Sequence, residues 1–198
     1  MRPGEHAVEA LLVLDVISTF EHDDGDRLLE SMRRRAPAIQ RASGRARRDG
    51  IDIIYVNDAA GNWDGDAPAH VARALQGRGG DIVRRVAPGA GDRFLFKAAY
   101  SGLDDTPLAR LLHELGVTRI VLAGAATEMC VAQTAIDARE RHFQVTVLRD
   151  ACATVDPVNE RIALDYLERV TGTVIATVQQ WLEADGADTR AVQAAQSQ

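Results

Sequence analysis

The chain has 198 residues, 46% of them hydrophobic and 26% charged, which is too apolar for disorder and long enough for one domain with a buried core. A formal net charge of −6 speaks against nucleic acid as a partner, since that role favours a basic surface. Two cysteines, Cys130 and Cys152, exclude a disulfide scaffold and a Cys/His zinc cluster, and they suit a reducing cytoplasm. No apolar run reaches the ~20 residues of a membrane span, and the N-terminus lacks the ordered regions of a signal peptide.

The first apolar run, residues 10–14, reads as a strand and ends on Asp15. A helical pattern over 27–48 follows; its arginine-rich part, 33–48, reads as the solvated face of a helix, with a nucleic-acid site as the alternative. A second run, 51–56, leads to Asn57 and Asp58. Helical spacing over 68–76 precedes a third run, 94–96, which ends on Lys97. A helix is expected over 106–115, with Pro107 in its first turn and Gly116 just past its end. The fourth run, 119–123, opens onto Gly124-Ala125-Ala126-Thr127-Glu128-Met129-Cys130, with helical spacing over 127–141. Runs at 144–148 and 173–175 flank a helix over 157–171. A last helix starts near Ala176 and includes Trp181 and Leu182. The domain is expected to span 1–184, and the Ala- and Gln-rich tail from 185 to 198 to fray.

Continuous apolar strands alternating with helices predict an α/β fold with a mainly parallel sheet covered on both faces. Such sheets place ligands at the carboxyl ends of their strands. Asp15, Asn57, Asp58, Lys97 and the Gly124–Cys130 segment all fall there. Gly89-Ala90-Gly91 does not follow the first strand, which counts against a dinucleotide site.

Cys130 is the candidate nucleophile. With Thr127 as an N-cap it sits in the first turn of a helix, where the dipole and unpaired N–H groups favour an anion. Its thiol is expected to ionise below the free value of about 8.5, and the same N–H groups suit a tetrahedral oxyanion. The competing reading is a small buried apolar cysteine. Asp15 closes an apolar strand, where a carboxylate is costly without work or a partner. It is placed to take the thiol proton and return it to a leaving group. Its alternatives are a phosphatase nucleophile, which wants a second Asp where this chain has Ile17, or a loop cap. Lys97 is placed to stabilise thiolate, Asp15 and oxyanion; the alternative is a surface lysine.

Phe20, Trp63, Tyr100 and Met129 flank these segments as candidate walls of a substrate pocket, against core or interface packing as the alternative. Asn57 and Asp58 either orient polar groups of a substrate or terminate the second strand. Ser101 is a candidate cap, and Gln133 is expected to face the site. Cys152 reads as structural, in a loop after the fifth strand, and His70 as a surface or capping residue.

Leu12-Val13-Leu14-Asp15, Lys97-Ala98-Ala99-Tyr100-Ser101-Gly102-Leu103, and above all residues 106–154 with Ala123-Gly124-Ala125-Ala126-Thr127-Glu128-Met129-Cys130 at their centre, resemble the isochorismatase-like cysteine hydrolases. The resemblance covers roughly residues 10–175. It implies a three-layer α/β/α, Rossmann-like fold around a six-stranded, mainly parallel sheet. It implies a catalytic triad of Asp15, Lys97 and Cys130, and a thioester formed from an amide-like substrate. It further implies a cis peptide at Ala125-Ala126 that aims the N–H groups of Ala126 and Cys130 at one oxyanion, and a homo-oligomer. Two departures narrow the activity. Nicotinamidases of this family bind a metal through Asp-x-His after the second strand; here Asp58 is present but Ala60 stands where the histidine belongs, so no metal or cofactor is expected. True isochorismatases lack the nucleophilic cysteine that this chain has. The reading is a hydrolase of a small amide or ureido compound; the alternative is an inactive relative that binds a small molecule or a partner protein.

Overall fold

The computed structural model describes residues 7–59, 61 and 64–184. Six strands form one parallel sheet in the order β3-β2-β1-β4-β5-β6. They are β1 (Glu9–Leu14), β2 (Asp52–Asp58), β3 (Arg93–Lys97), β4 (Arg119–Ala125), β5 (Gln144–Ala153) and β6 (Val174–Ala176). The helices are α1 (Gly25–Asp49), α2 (Ala67–Gln76), α3 (Gly80–Val86), α4 (Leu108–Glu114), α5 (Ala132–Glu140) and α6 (Pro157–Tyr166). Two π-helical turns, Thr127–Val131 and Leu167–Thr171, lead into α5 and out of α6. The chain is helical again from 178 to 184.

Strand periodicity divides the core. Leu11, Val13, Val121 and Ala123 face one side, where α1, α3 and Trp181 cover them. Ala10, Leu12, Leu14, Ile120 and Leu122 face the other, beneath α4 and α5. Both faces are therefore apolar, which explains why the strands read as unbroken hydrophobic runs. Most arginines of α1 lie outward as expected: Arg33 reaches Asp81 of α3 at 3.1 Å and Arg47 pairs with Asp92, whereas Arg45 is largely covered and stacks on Trp181. No helix among the described residues is long and apolar enough to cross a membrane.

Two elements depart from the sequence expectation. Helix α3 was not foreseen, because seven residues after paired glycines are too few to show a helical period. Strand β5 extends to Ala153 rather than stopping at 148. Its apolar run breaks at Arg149 and Asp150 because the β4–β5 register shifts there: Leu122 pairs with Val147, but Gly124 pairs with Cys152. Asp150 at this bulge accepts the Val178 N–H at 2.8 Å, anchoring the C-terminal helical segment. Cys152 consequently lies within the strand rather than in a loop, fully buried, its Sγ 3.7 Å from the Leu122 carbonyl.

Gly124 is required by the close approach of β1. Its φ is 124°, and a Cβ there would stand 2.0 Å from the Leu14 carbonyl oxygen. Gly124→Ala should therefore lower stability by about 3 kcal/mol in urea unfolding; a loss below about 1 kcal/mol would contradict this packing.

Candidate active site

The order of strands reverses between β1 and β4, the switch point at which an open α/β sheet leaves a crevice. Three strands end beside it. Asp15 follows β1 in a left-handed conformation, φ 49°, which aspartate tolerates better than branched residues. Its N–H still bonds the Val56 carbonyl at 3.1 Å, and its Oδ1 accepts the Asp58 N–H at 2.6 Å. The carboxylate is thus swung across the end of β2. Lys97 is the last residue of β3, paired with Asp58. From β4 the chain passes through the cis peptide Ala125-Ala126 into the π-turn that carries Cys130.

The Lys97 side chain is 1% exposed, and its ammonium lies 2.9 Å from Asp15 Oδ2. It also donates to the Ala99 carbonyl at 3.0 Å and to Cys130 Sγ at 3.4 Å. Three acceptors match the three protons of an ammonium. Thr134 holds the neighbouring backbone: its hydroxyl donates to the Cys130 carbonyl at 2.6 Å and accepts the Gly102 N–H at 2.9 Å. That ties the Cys130 turn to the loop after Lys97. The Glu128 carboxylate accepts from Thr154 Oγ1, Val155 N and Asp156 N at 2.8–3.0 Å, fixing the turn's other side.

Burial decides the ionisation of Asp15 and Cys130, while at Lys97 the neighbouring groups overcome it. It raises the Asp15 carboxyl above its ordinary value, although Lys97, the Cys130 thiol and the Asp58 N–H all favour the anion. Burial works against the Lys97 ammonium, but Asp15 and Cys130 outweigh it and leave the group above its usual value. The Cys130 thiol is pushed up to about 12, first by burial and then by the Asp15 charge, with Lys97 opposing. This corrects the expectation of an acidic thiol. The helix-start argument left out desolvation and an adjacent carboxylate, and here those two prevail. Thr127 is not the N-cap either. It is the buried first residue of the π-turn, its hydroxyl 3.0 Å from the Ala153 carbonyl and 3.1 Å from Glu160 Oε1, and Ala126 occupies the cap position.

A cleft of about 640 Å³ opens over this floor, and Asp15, Lys97, Cys130, Ala126, Tyr100 and Met129 all line it. Asn57 and Asp58 line it too, but the Asn57 side chain is turned to its own chain: Oδ1 accepts Ile17 N–H at 3.0 Å, and Nδ2 donates to Ile17 O at 3.0 Å. Phe20 does not reach the cleft; it is fully buried in the core. Gln133 faces a neighbouring groove. Ser101 forms a turn by accepting the Leu103 N–H at 3.1 Å. Trp63 and the tail from 185 lie outside the described residues.

Arg73 escaped the sequence reading, and His70, expected as a surface or capping residue, is instead buried. His70 is 4% exposed, with Nε2 3.0 Å from the Ile17 carbonyl and Nδ1 3.1 Å from Arg73 Nη2. Burial holds it below its ordinary pKa. The only sequence signal was its spacing from Arg73, three residues apart on one helix face. A metal of the nicotinamidase kind does not fit these residues. Ala60 stands at the histidine position, both ring nitrogens of His70 are engaged, and among the described residues no three His, Cys, Asp or Glu side chains converge.

Comparison with known proteins places this geometry in a lineage. The isochorismatase domain model matches residues 9–179. The uncharacterized isochorismatase family protein YaaI of Bacillus subtilis (strain 168) is 34% identical over 177 residues, spanning 89% of this chain and 98% of that protein. The ureidoacrylate amidohydrolase RutB of Serratia proteamaculans (strain 568) is 30% identical over 196 residues, spanning 83% and 78%. The crystal structure of N-carbamoylsarcosine amidase from Thermoplasma acidophilum superposes with a TM-score of 0.67 at 29% identity, covering 86% of this chain and 96% of that one.

The charges at the floor predict how the thiol responds to mutation. Asp15→Asn removes an anion that disfavours thiolate and leaves Lys97, which favours it, so the Cys130 pKa should fall. Iodoacetamide labelling, mapped by peptide mass, should begin at least about one pH unit lower in the variant than in the wild type. Wild-type Cys130 labelled readily below pH ~8, or an unshifted variant, would contradict the ionisation described.

Proposed function

Because the chain belongs to the isochorismatase family, we propose that it is a cysteine hydrolase of a small amide or ureido compound, with Asp15, Lys97 and Cys130 as its catalytic triad. The observation that carries this reading is the buried ammonium of Lys97, 2.9 Å from Asp15 and 3.4 Å from Cys130, at the floor of the cleft. The names of the amidohydrolase and amidase relatives point to a C–N bond as the one cleaved.

The thiol is neutral at rest, so attack and deprotonation go together. As Cys130 Sγ bonds to the substrate carbonyl carbon, its proton passes to Asp15 and the carbonyl electrons move to oxygen. The N–H groups of Ala126 and Cys130 hold that oxyanion. When the tetrahedral species collapses, the C–N bond breaks and Asp15 returns the proton to the leaving nitrogen. A water then attacks the thioester, giving its proton to Asp15. The acid leaves, and the proton ends on sulfur. Lys97 keeps Asp15 ionised between these transfers.

The chain is expected to self-associate. Val158, Ile162, Tyr166 and Val170 recur every four residues along α6 and the π-turn after it, and each is about half exposed or more. Such a stripe is a common interface. Light scattering at micromolar concentration should give a multiple of the chain mass, and Ile162→Asp should reduce it; a wild type that is only monomeric overturns this.

Ammonia release from a panel of amides and ureas tests the chemistry. Cys130→Ala should abolish turnover, while Asp15→Asn and Lys97→Ala should each lower kcat by at least about 100-fold with the fold intact by circular dichroism. The ionised Asp15 is the active form, and burial raises its pKa. The kcat/KM profile should therefore fall, as pH drops, above the usual carboxylate value of ~4. Turnover that survives Cys130→Ala sinks the assignment.

A further inference from the structure

The cleft holds two cations of opposite standing. Lys97 is neutralised by Asp15 and has all three protons engaged. Arg73 of α2 lines the same cleft and is exposed to it. Among the described residues its hydrogen-bond partner is a histidine nitrogen, His70 Nδ1 at 3.1 Å, and no carboxylate forms an ion pair with it. The contrast with other arginines is plain: Arg27, Arg33 and Arg93 each lie within 3.1 Å of an aspartate oxygen.

The histidine partner follows from the local chemistry. His70 Nε2 lies 3.0 Å from the Ile17 carbonyl, which can only accept, and 3.2 Å from Asn57 Nδ2, which can only donate; the donor-only guanidinium of Arg73 beside Nδ1 decides the tautomer and puts the proton on Nε2. Nδ1 is then bare and accepts from the guanidinium. Burial lowers the His70 pKa and keeps the ring neutral. A neutral acceptor orients a guanidinium without cancelling its charge. Four of the five donors of Arg73 remain for a ligand, in the planar fork that matches a carboxylate. The mount is rigid, because the same Ile17 carbonyl accepts from Asn57, which is itself 3% exposed.

Resting on the hydrolase reading above, we infer that the substrate carries one carboxylate, bound by Arg73 at the side of the cleft away from its scissile carbon. Asp24 on the same wall is paired with Arg27 at 2.7 Å. Glu21 and Asp58 also line the cleft and count against ligands with several negative charges. The substrate class is thus a monoanionic ureido or amide acid.

Three ureas of similar size and different charge test this: N-carbamoylglycine (anionic), its primary amide (neutral) and N-(2-aminoethyl)urea (cationic). The wild type should show at least a tenfold higher kcat/KM for the anion than for either of the others, with the difference mainly in KM. Arg73→Ala should bring the anion-to-neutral ratio to near one, and Arg73→Lys should restore part of it. A preference for the neutral or cationic urea, or an anion preference that survives Arg73→Ala, overturns the inference. Calorimetric titration of N-carbamoylglycine into Cys130→Ala protein separates the two readings. Binding weakened at least tenfold by adding Arg73→Ala upholds the carboxylate site even if no urea releases ammonia, an outcome that would count against the hydrolase alone. If N-carbamoylglycine is neither turned over nor bound, the carboxylate site is refuted.

Discussion

Everything at the floor of the cleft depends on one buried ammonium. Removing a charge of this kind from water costs several kcal/mol even after the protein relaxes, and the cost is met only when geometry and hydrogen bonds are both good. Lys97 has both: a carboxylate from the end of β1, a carbonyl from its own following loop and a sulfur from the turn after β4. The ammonium therefore joins three separate parts of the crevice. It also decides what is left over. With its three protons committed, Lys97 has none for a substrate oxygen, so in the proposed chemistry the oxyanion must find its donors on the backbone. The sequence suggested a lysine that served thiolate, carboxylate and oxyanion together; the geometry divides those tasks.

The surrounding structure holds these groups in register with buried, paired polar atoms. On one side Asn57 and His70 grip the backbone of Ile17, two residues beyond Asp15. On the other, Glu128 accepts three hydrogen bonds from residues 154–156, while Thr134 links the Cys130 carbonyl to Gly102. A network satisfied in this way is rigid, because every alternative arrangement strands a buried polar group. Gly124 permits it from below. Without a side chain there, β4 approaches Leu14 closely enough to set the Ala125-Ala126 turn beside Asp15.

What the sequence disclosed and what it withheld divide along physical lines. Strands buried on both faces write themselves as apolar runs, so the six-stranded sheet and the placing of Asp15 and Lys97 at strand ends were legible. The family resemblance rested on the block around Cys130, and the match over residues 9–179 agrees with it. Phe20 was misread because proximity in sequence to Asp15 says nothing of direction; with φ 59° the chain turns and the ring enters the core. His70 was read as a surface or capping residue and Arg73 was passed over, because a lone histidine on a helix carries no period and no motif. Their meaning appears only when α2 folds over the Ile17 loop. The acidity of Cys130 was misjudged for a related reason. A helix start is visible in sequence, whereas the desolvation that opposes it is a property of the packed site.

That last point shapes how the proposed nucleophile would behave. Burial and the Asp15 charge push the Cys130 thiol up to about 12, so the resting sulfur is protonated at neutral pH. Oxidants and stray electrophiles react with thiolate, so the resting enzyme presents them with a poor target. Thiolate character would arise only as the carbonyl carbon of a bound substrate accepts the sulfur, because Asp15 then takes the proton at the moment charge moves onto the substrate oxygen. The raised pKa of Asp15 works in the same direction, since it narrows the gap between proton donor and acceptor that the transfer must cross. A site that kept a free thiolate would react faster with everything. In the proposed chemistry this site trades resting reactivity for a nucleophile formed in place, and burial of the Asp15–Lys97–Cys130 group would make that trade possible.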